Sequence, residues 1–176
     1  YQGAAVLAKG DLILIVRADW LSAHGDDVRI AARAPKHAAR EATARKRVLV
    51  VDDSLTVRAL HRTILEAGGY AVNAVASVER AEEQLARSPY DAVVCDLNFA
   101  SGAKDGFDLL RTARAATAEA STAFVLVSIA DDDELRARAR SLGADAYITK
   151  KECAAGRLLG EVSAVLARRR SRAESA

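Results

Sequence analysis

From residue 46 onward the apolar positions alternate between two patterns. Short, mainly apolar runs (KRVLVV, YAVNAV, DAVVC, AFVLV and DAYIT) are each followed by a longer stretch with apolar residues three or four apart. The runs predict strands over residues 47–52, 70–75, 91–96, 123–128 and 145–149. The longer stretches predict helices. Val57, Leu60 and Ile64 make one apolar stripe, and Val78, Ala81 and Leu85 the next. Leu135, Ala139 and Leu142 make a further stripe, and Leu158, Val162 and Val165 the last. Ser54 is placed to cap the first helix and Gly68-Gly69 to end it. Asp131, Asp132 and Asp133 open another helix, where acidic groups favour the positive end of the dipole. The alternation predicts an α/β fold, a doubly wound parallel sheet of five strands in the order 2-1-3-4-5 with five helices.

The rest of the chain reads differently. Residues 1–24 predict a hairpin (GAAVL, a turn at Ala8-Lys9-Gly10-Asp11, then LILIV) and a short helical turn at ADWLSAH. This is too little to bury a core. Residues 25–45 are rich in Ala and Arg and read as a linker; the βα repeat covers 46–170, and 171–176 read as a polar tail. A first residue that is Tyr1 leads us to expect a fragment of a longer protein. The net charge is only +2, which argues against nucleic acid as a partner. No apolar stretch approaches the roughly 20 residues of a membrane span, and no signal peptide is visible, so a cytoplasmic protein without membrane insertion is expected. Cys95 and Cys153 lack metal-ligand spacing and read as free thiols in a reducing compartment. Cys95 is expected to point to the sheet face opposite Asp96.

The chemistry lies at the strand ends. Asp52 and Asp53 close the first apolar run, Asp96 the third, Ser128 the fourth and Lys150 the fifth. In a parallel sheet these carboxyl ends line one edge, where ligands bind. Three carboxylates, a hydroxyl and an ammonium should therefore converge. Crowded carboxylates repel by roughly 4 kcal/mol per pair at about 4 Å and an effective dielectric of about 20. A hard cation offsets this, and Mg²⁺ takes oxygen ligands and bridges carboxylates to phosphate. A carboxylate can serve as nucleophile toward phosphorus, while Lys150 and Ser128 can donate to phosphoryl oxygens. Acidic residues also end strands as plain turn formers; five polar types in this order go well beyond that.

Residues 46–170 resemble the receiver domain of two-component response regulators, most closely the chemotaxis type, through VLVVDDS, YDAVVCD, DGFDLL, FVLVS and GADAYITK. The resemblance implies a flavodoxin-like fold in which Asp96 accepts a phosphoryl group from a histidine kinase. It implies Mg²⁺ held by Asp53 directly, by Asp52 largely through water, by Asp96 and by the backbone carbonyl of Asn98. It also implies that Lys150 and Ser128 hold the phosphoryl oxygens, that Tyr147 is the switch aromatic, and that the face built from the fourth helix and fifth strand and helix responds. From the residues alone, Tyr147 could equally be a half-buried strand tyrosine.

Three features depart from that pattern. The stretch LNFASGAKDG puts Phe99-Ala100 where Met-Pro is usual and adds two residues before Asp105-Gly106. Ile129 follows Ser128, where a small residue usually guards access to the acceptor; slower phosphorylation or slower loss of the phosphoryl group is expected. Lys151 follows Lys150 where Pro is common, which weakens the expectation of a cis bond there.

YQGAAVLAKGDLILIVRADWL is similar to the C-terminal end of the coupling domain of chemotaxis scaffold proteins and kinases, although Ile15-Val16-Arg17-Ala18 replaces the usual Ile-Leu-Asp-Val. Directly before a receiver, it implies the C-terminal piece of a hybrid chemotaxis histidine kinase, with chemoreceptor-array proteins as further partners. His24, His37 and His61 lack a phosphodonor setting, and no Gly-rich ATP-binding box is present, so the parent rather than this chain is expected to be the kinase. Two other functions remain open. One is a degenerate receiver serving only as an interaction module. The other is an aspartyl-phosphate hydrolase, against which Asn98 counts because a second acid is usual at that position.

Overall fold

The three central strands of the five-stranded sheet are buried along almost their whole length, as a covered parallel sheet requires, while the two edge strands are buried only in part. In a computed structural model, the structure describes residues 4–6, 12–14, 45–100, 103–116, 122–154 and 157–173. The chain divides into two compact units, residues 1–42 and 43–176. In the first, β1 (Ala4–Val6) pairs antiparallel with β2 (Leu12–Leu14). The expected turn at 8–11, the helical turn and nearly all of the linker lie outside the described residues.

The second unit runs β3 (Arg47–Val51), α1 (Leu55–Ala67), β4 (Ala71–Val75), α2 (Val78–Arg87), β5 (Ala92–Asp96), α3 (Gly106–Ala116), β6 (Ala123–Ser128), α4 (Asp133–Ser141), β7 (Ala146–Thr149), α5 (Lys150–Ala154) and α6 (Arg157–Ala173). Its sheet is wholly parallel in the order β4-β3-β5-β6-β7, the predicted 2-1-3-4-5. Four strands are one residue shorter at an end than predicted. The helical segment after β7 begins at Lys150 and is described in two parts, and α6 continues to Ala173, past the residue 170 expected as the boundary.

Alternation along the strands divides the core in two. Val48, Val50, Val94, Val125 and Val127 pack with Leu65 of α1 and Leu158, Val162 and Val165 of α6. Leu49, Val51, Val93, Cys95, Phe124 and Leu126 pack on the other side with α2, α3 and α4. Cys95 thus lies on the face away from the carboxylates, as expected. Burial raises its pKa well above the ordinary thiol value, and burial pushes Cys153 up to about 12, so neither is a reactive thiolate.

The stripe on α1 differs from the prediction. His61 and Leu65 are its buried residues, Val57 and Ile64 are half-buried, and Leu60 is 45% exposed. The periodicity was ambiguous by one position because His61 is polar by type, yet it occupies the inward face at i+4 from Val57. The caps follow the sequence. Ser54 accepts from the Val57 amide, Gly69 takes φ +89° after α1, and Asp132 accepts from the amides of Glu134 and Leu135.

Candidate functional site

The crevice at the carboxyl edge lies where β3 and β5 run side by side and their connections leave in opposite directions. Asp52 and Asp53 follow β3, and Asp96 ends β5. One carboxylate oxygen from each of the three lies within 4.8 Å of the others. Asp52 and Asp96 are 1% and 4% exposed, whereas Asp53 opens to solvent. Lys150 reaches across from the end of β7, with Nζ 2.7 Å from Asp96 Oδ2 and 3.2 Å from Asp52 Oδ2.

Local chemistry holds each group. Asp52 Oδ1 accepts from the Ser54 amide at 2.8 Å. The Arg58 guanidinium, one turn into α1, donates to the backbone carbonyls of Asp52 and Asp53. Lys150 is aimed by a capping box: Thr149 N donates to Glu152 Oε2 at 2.7 Å, and Glu152 N donates to Thr149 Oγ1 at 3.2 Å. α5 therefore starts at Lys150 and presents its side chain inward. The signal Thr-x-x-Glu was legible in TKKE, whereas Arg58 offered none, since an exposed-face arginine on a helix is ordinary.

The altered segment after Asp96 is anchored twice. Phe99 packs into the second core cluster, 9% exposed, and the Ala100 amide donates to Asp53 Oδ2 at 2.7 Å. The Asn98 amide lies 3.5 Å from Asp96 Oδ1, and the Asn98 side chain is exposed. Asp105 and Asp108 cap α3 reciprocally at 2.9 Å each. Within this extended segment, Ser101 and Gly102 lie outside the described residues. No cis peptide bond occurs among the described residues.

Ser128 is buried at the end of β6, one residue beyond the Asp96–Val127 register pair, and its Oγ accepts from the Ala130 amide at 3.2 Å. It makes no hydrogen bond to the carboxylates. Ile129 is 74% exposed. Tyr147 is half-buried on β7; its Oη donates to the Ala130 carbonyl at 2.9 Å and the Arg136 guanidinium lies 5.0 Å from its ring. His61, 2% exposed, feels both Asp52 and Lys150, and burial lowers its pKa.

Burial lifts the Asp96 carboxyl above its ordinary value; Lys150 and the Asn98 amide hold part of that back, and Asp52 adds to it. Burial alone would lower the Lys150 pKa, but the bonds and charges of Asp96 and Asp52 outweigh it and raise it. Two of the three carboxylates, Asp52 and Asp96, thus share one ammonium, and Asp53 takes a backbone amide instead. The hard oxygen donors, close spacing and residual negative charge fit a divalent cation such as Mg²⁺.

A family model for the response regulator receiver domain matches residues 48–163. The chain belongs to that family. Receiver domains bind Mg²⁺ through acidic residues and interact with histidine kinase phosphodonors. The chain is 31% identical over 150 residues to a gliding motility regulatory protein of Myxococcus xanthus, covering 85% of this chain and 18% of that protein. It therefore spans under a fifth of that relative's length. Among solved structures, a sensor protein from Polaromonas sp. JS666 is 29% identical with a TM-score of 0.61, covering 71% of this chain and 98% of that one. A CheY-like receiver domain protein from Methanospirillum hungatei is 22% identical with a TM-score of 0.64, covering 73% and 99%, a likeness of fold. No helix among the described residues is long and apolar enough to cross a membrane.

Proposed function

We propose that this receiver is a working phosphoacceptor, with Asp96 taking a phosphoryl group from a phosphohistidine. One observation carries the reading: Asp96 is buried, ends a central strand, and is bonded to Lys150 within a cluster of three carboxylates. Asp53, Asp52, Asp96 and the Asn98 carbonyl would hold Mg²⁺. Bound there, the cation would neutralise charge on the carboxylates and on the incoming phosphoryl oxygens.

The residues divide the remaining work. Asp96 Oδ attacks phosphorus in line, and the P–N bond to the donor histidine breaks as the acyl phosphate forms. Lys150 already donates to Asp96 and would follow the charge onto a phosphoryl oxygen. Ser128 would give up the Ala130 amide and turn its hydroxyl to another oxygen. That exchange frees the loop whose carbonyl holds Tyr147, and the α4–β7–α6 face would shift toward a second state.

We further propose that the chain comes from a hybrid chemotaxis-type kinase, behind the end of a coupling domain. Residues 1–24 carry the coupling-domain likeness, β1 and β2 form a hairpin, and the match to the gliding motility regulator is longer than the receiver itself. On this reading the domains are 1–24, a linker to 45, the receiver, and a short tail. Its partners would be the kinase's phosphodonor domain and chemoreceptor-array proteins in the cytoplasm.

The test is incubation with acetyl phosphate, with and without Mg²⁺, read by intact mass. One added phosphoryl group that requires Mg²⁺ is expected. A folded protein that binds Mg²⁺ but takes no label would leave the interaction-module reading.

A further inference from the structure

The acidic turn between β3 and α1 is held by one residue of the helix that follows it. The Arg58 amide donates to the Ser54 carbonyl at 2.9 Å. Its side chain reaches back toward the helix N-terminus, as helical side chains do. There a single nitrogen, Nη1, donates to the carbonyls of Asp52 at 2.6 Å and Asp53 at 3.2 Å. Arg58 therefore takes three successive carbonyls, those of Asp52, Asp53 and Ser54. It makes no ion pair among the described residues. Yet Asp52 and Asp53 belong to the carboxylate cluster that suits a divalent cation. A fixed guanidinium beside such a site repels the cation, so Coulomb forces alone do not explain its place.

The bonding of the two acids supplies a reason. Asp52 is held at several atoms: its amide donates to the Val75 carbonyl, Oδ1 accepts from the Ser54 amide and Oδ2 accepts from Lys150. Asp53 is the exposed member of the cluster. Its side chain is held at Oδ2, by the Ala100 amide, and its carbonyl by Arg58. Peptide units are planar. The two carbonyls that Arg58 holds therefore fix the planes on either side of the Asp53 Cα, and those planes set the direction of its Cβ. A ligand whose backbone is loose must be ordered when the cation binds, and that entropy is lost from the affinity.

We propose that Arg58 is a positioning residue for the divalent cation: it locks the Asp52–Asp53 turn so that the Asp53 carboxylate is set before the cation arrives, and this outweighs the repulsion of its own charge. The inference rests on the cation reading of the cluster proposed above and not on phosphoryl transfer. The two influences of Arg58 have opposite signs. Repulsion alone predicts that removing the guanidinium tightens Mg²⁺ binding, whereas positioning predicts that it weakens binding. Because one nitrogen makes both carbonyl bonds, a lysine ammonium with its three donors can replace it.

The test is calorimetric titration of MgCl₂ into the full chain, at about 0.05 M and about 0.5 M KCl, since salt screens the repulsion but not the ordering of the turn. Arg58→Met keeps an apolar stem and removes the charge and the donors. It should weaken Mg²⁺ binding at least about fivefold, and by more at the higher salt, where it relieves less repulsion. Arg58→Lys should stay within about twofold of the wild type. Unchanged or tighter binding by Arg58→Met, even with a lowered melting temperature, would reduce Arg58 to a structural residue and overturn the proposal. So would an equal loss in Arg58→Lys. If circular dichroism shows Arg58→Met unfolded, Arg58→Ala is read by the same criteria. Asp53→Asn is titrated alongside and should lose most of the affinity. Wild-type affinity in Asp53→Asn refutes the cation reading and this inference with it; a loss there without one in Arg58→Met refutes the positioning role alone.

Discussion

Asp96 is the residue on which the rest turns, and its setting makes it a costly carboxylate. Its folded-state pKa is raised, so between the ordinary aspartate value and that raised value the folded protein binds more protons than the unfolded chain. Its contribution to stability is therefore present at low pH and is lost as pH rises through the raised pKa. Asp96→Asn should raise the melting temperature of metal-free protein at pH 7 and do less below pH 4; the opposite ordering in thermal melts would contradict the burial argument. Ile129, exposed beside Ser128, is a second residue-scale test. Ile129→Ala should speed labelling or loss of label severalfold in a time course, since it opens the approach to Asp96; unchanged rates would remove its gating role. The type and order of the polar residues were visible in the sequence because each closes an apolar run. The partners that hold them were not. The Ala100 amide on Asp53 and the Ala130 amide on Ser128 are backbone groups with no signature of residue type.

The strands and their order were legible for a physical reason: a sheet covered on both faces leaves unbroken apolar runs, and short connections leave few topologies. Helix registers were less so. Leu60 looks like a core residue by type and is half-exposed, while His61 takes the inward position below Asp52 and Lys150. Gly106, first residue of α3, shows what the element contributes to the site. A Cβ there would lie 2.4 Å from the Asp96 carbonyl oxygen and 3.0 Å from Leu97 Cα, both backbone atoms that cannot yield cheaply. Gly106→Ala should therefore lower the melting temperature and slow labelling together, by pushing α3 off the acceptor strand. A variant with wild-type stability and labelling would show that α3 has slack there.

At the scale of the molecule, the carboxylate cluster couples folding to ligand. A cation bound only by the folded state adds RT ln(1 + [L]/Kd) to stability, about 2.7 kcal/mol at a hundredfold excess over Kd. Saturating Mg²⁺ should raise the melting temperature, and Asp53→Asn should abolish most of that rise; an equal rise in the variant would place the cation elsewhere. The measurement that decides the account is Mg²⁺-dependent acetyl phosphate labelling of the wild type beside Asp96→Asn, each read by intact mass. A single phosphoryl group on the wild type and none on the folded variant is the predicted result. Label persisting in Asp96→Asn would show that the acceptor is another residue.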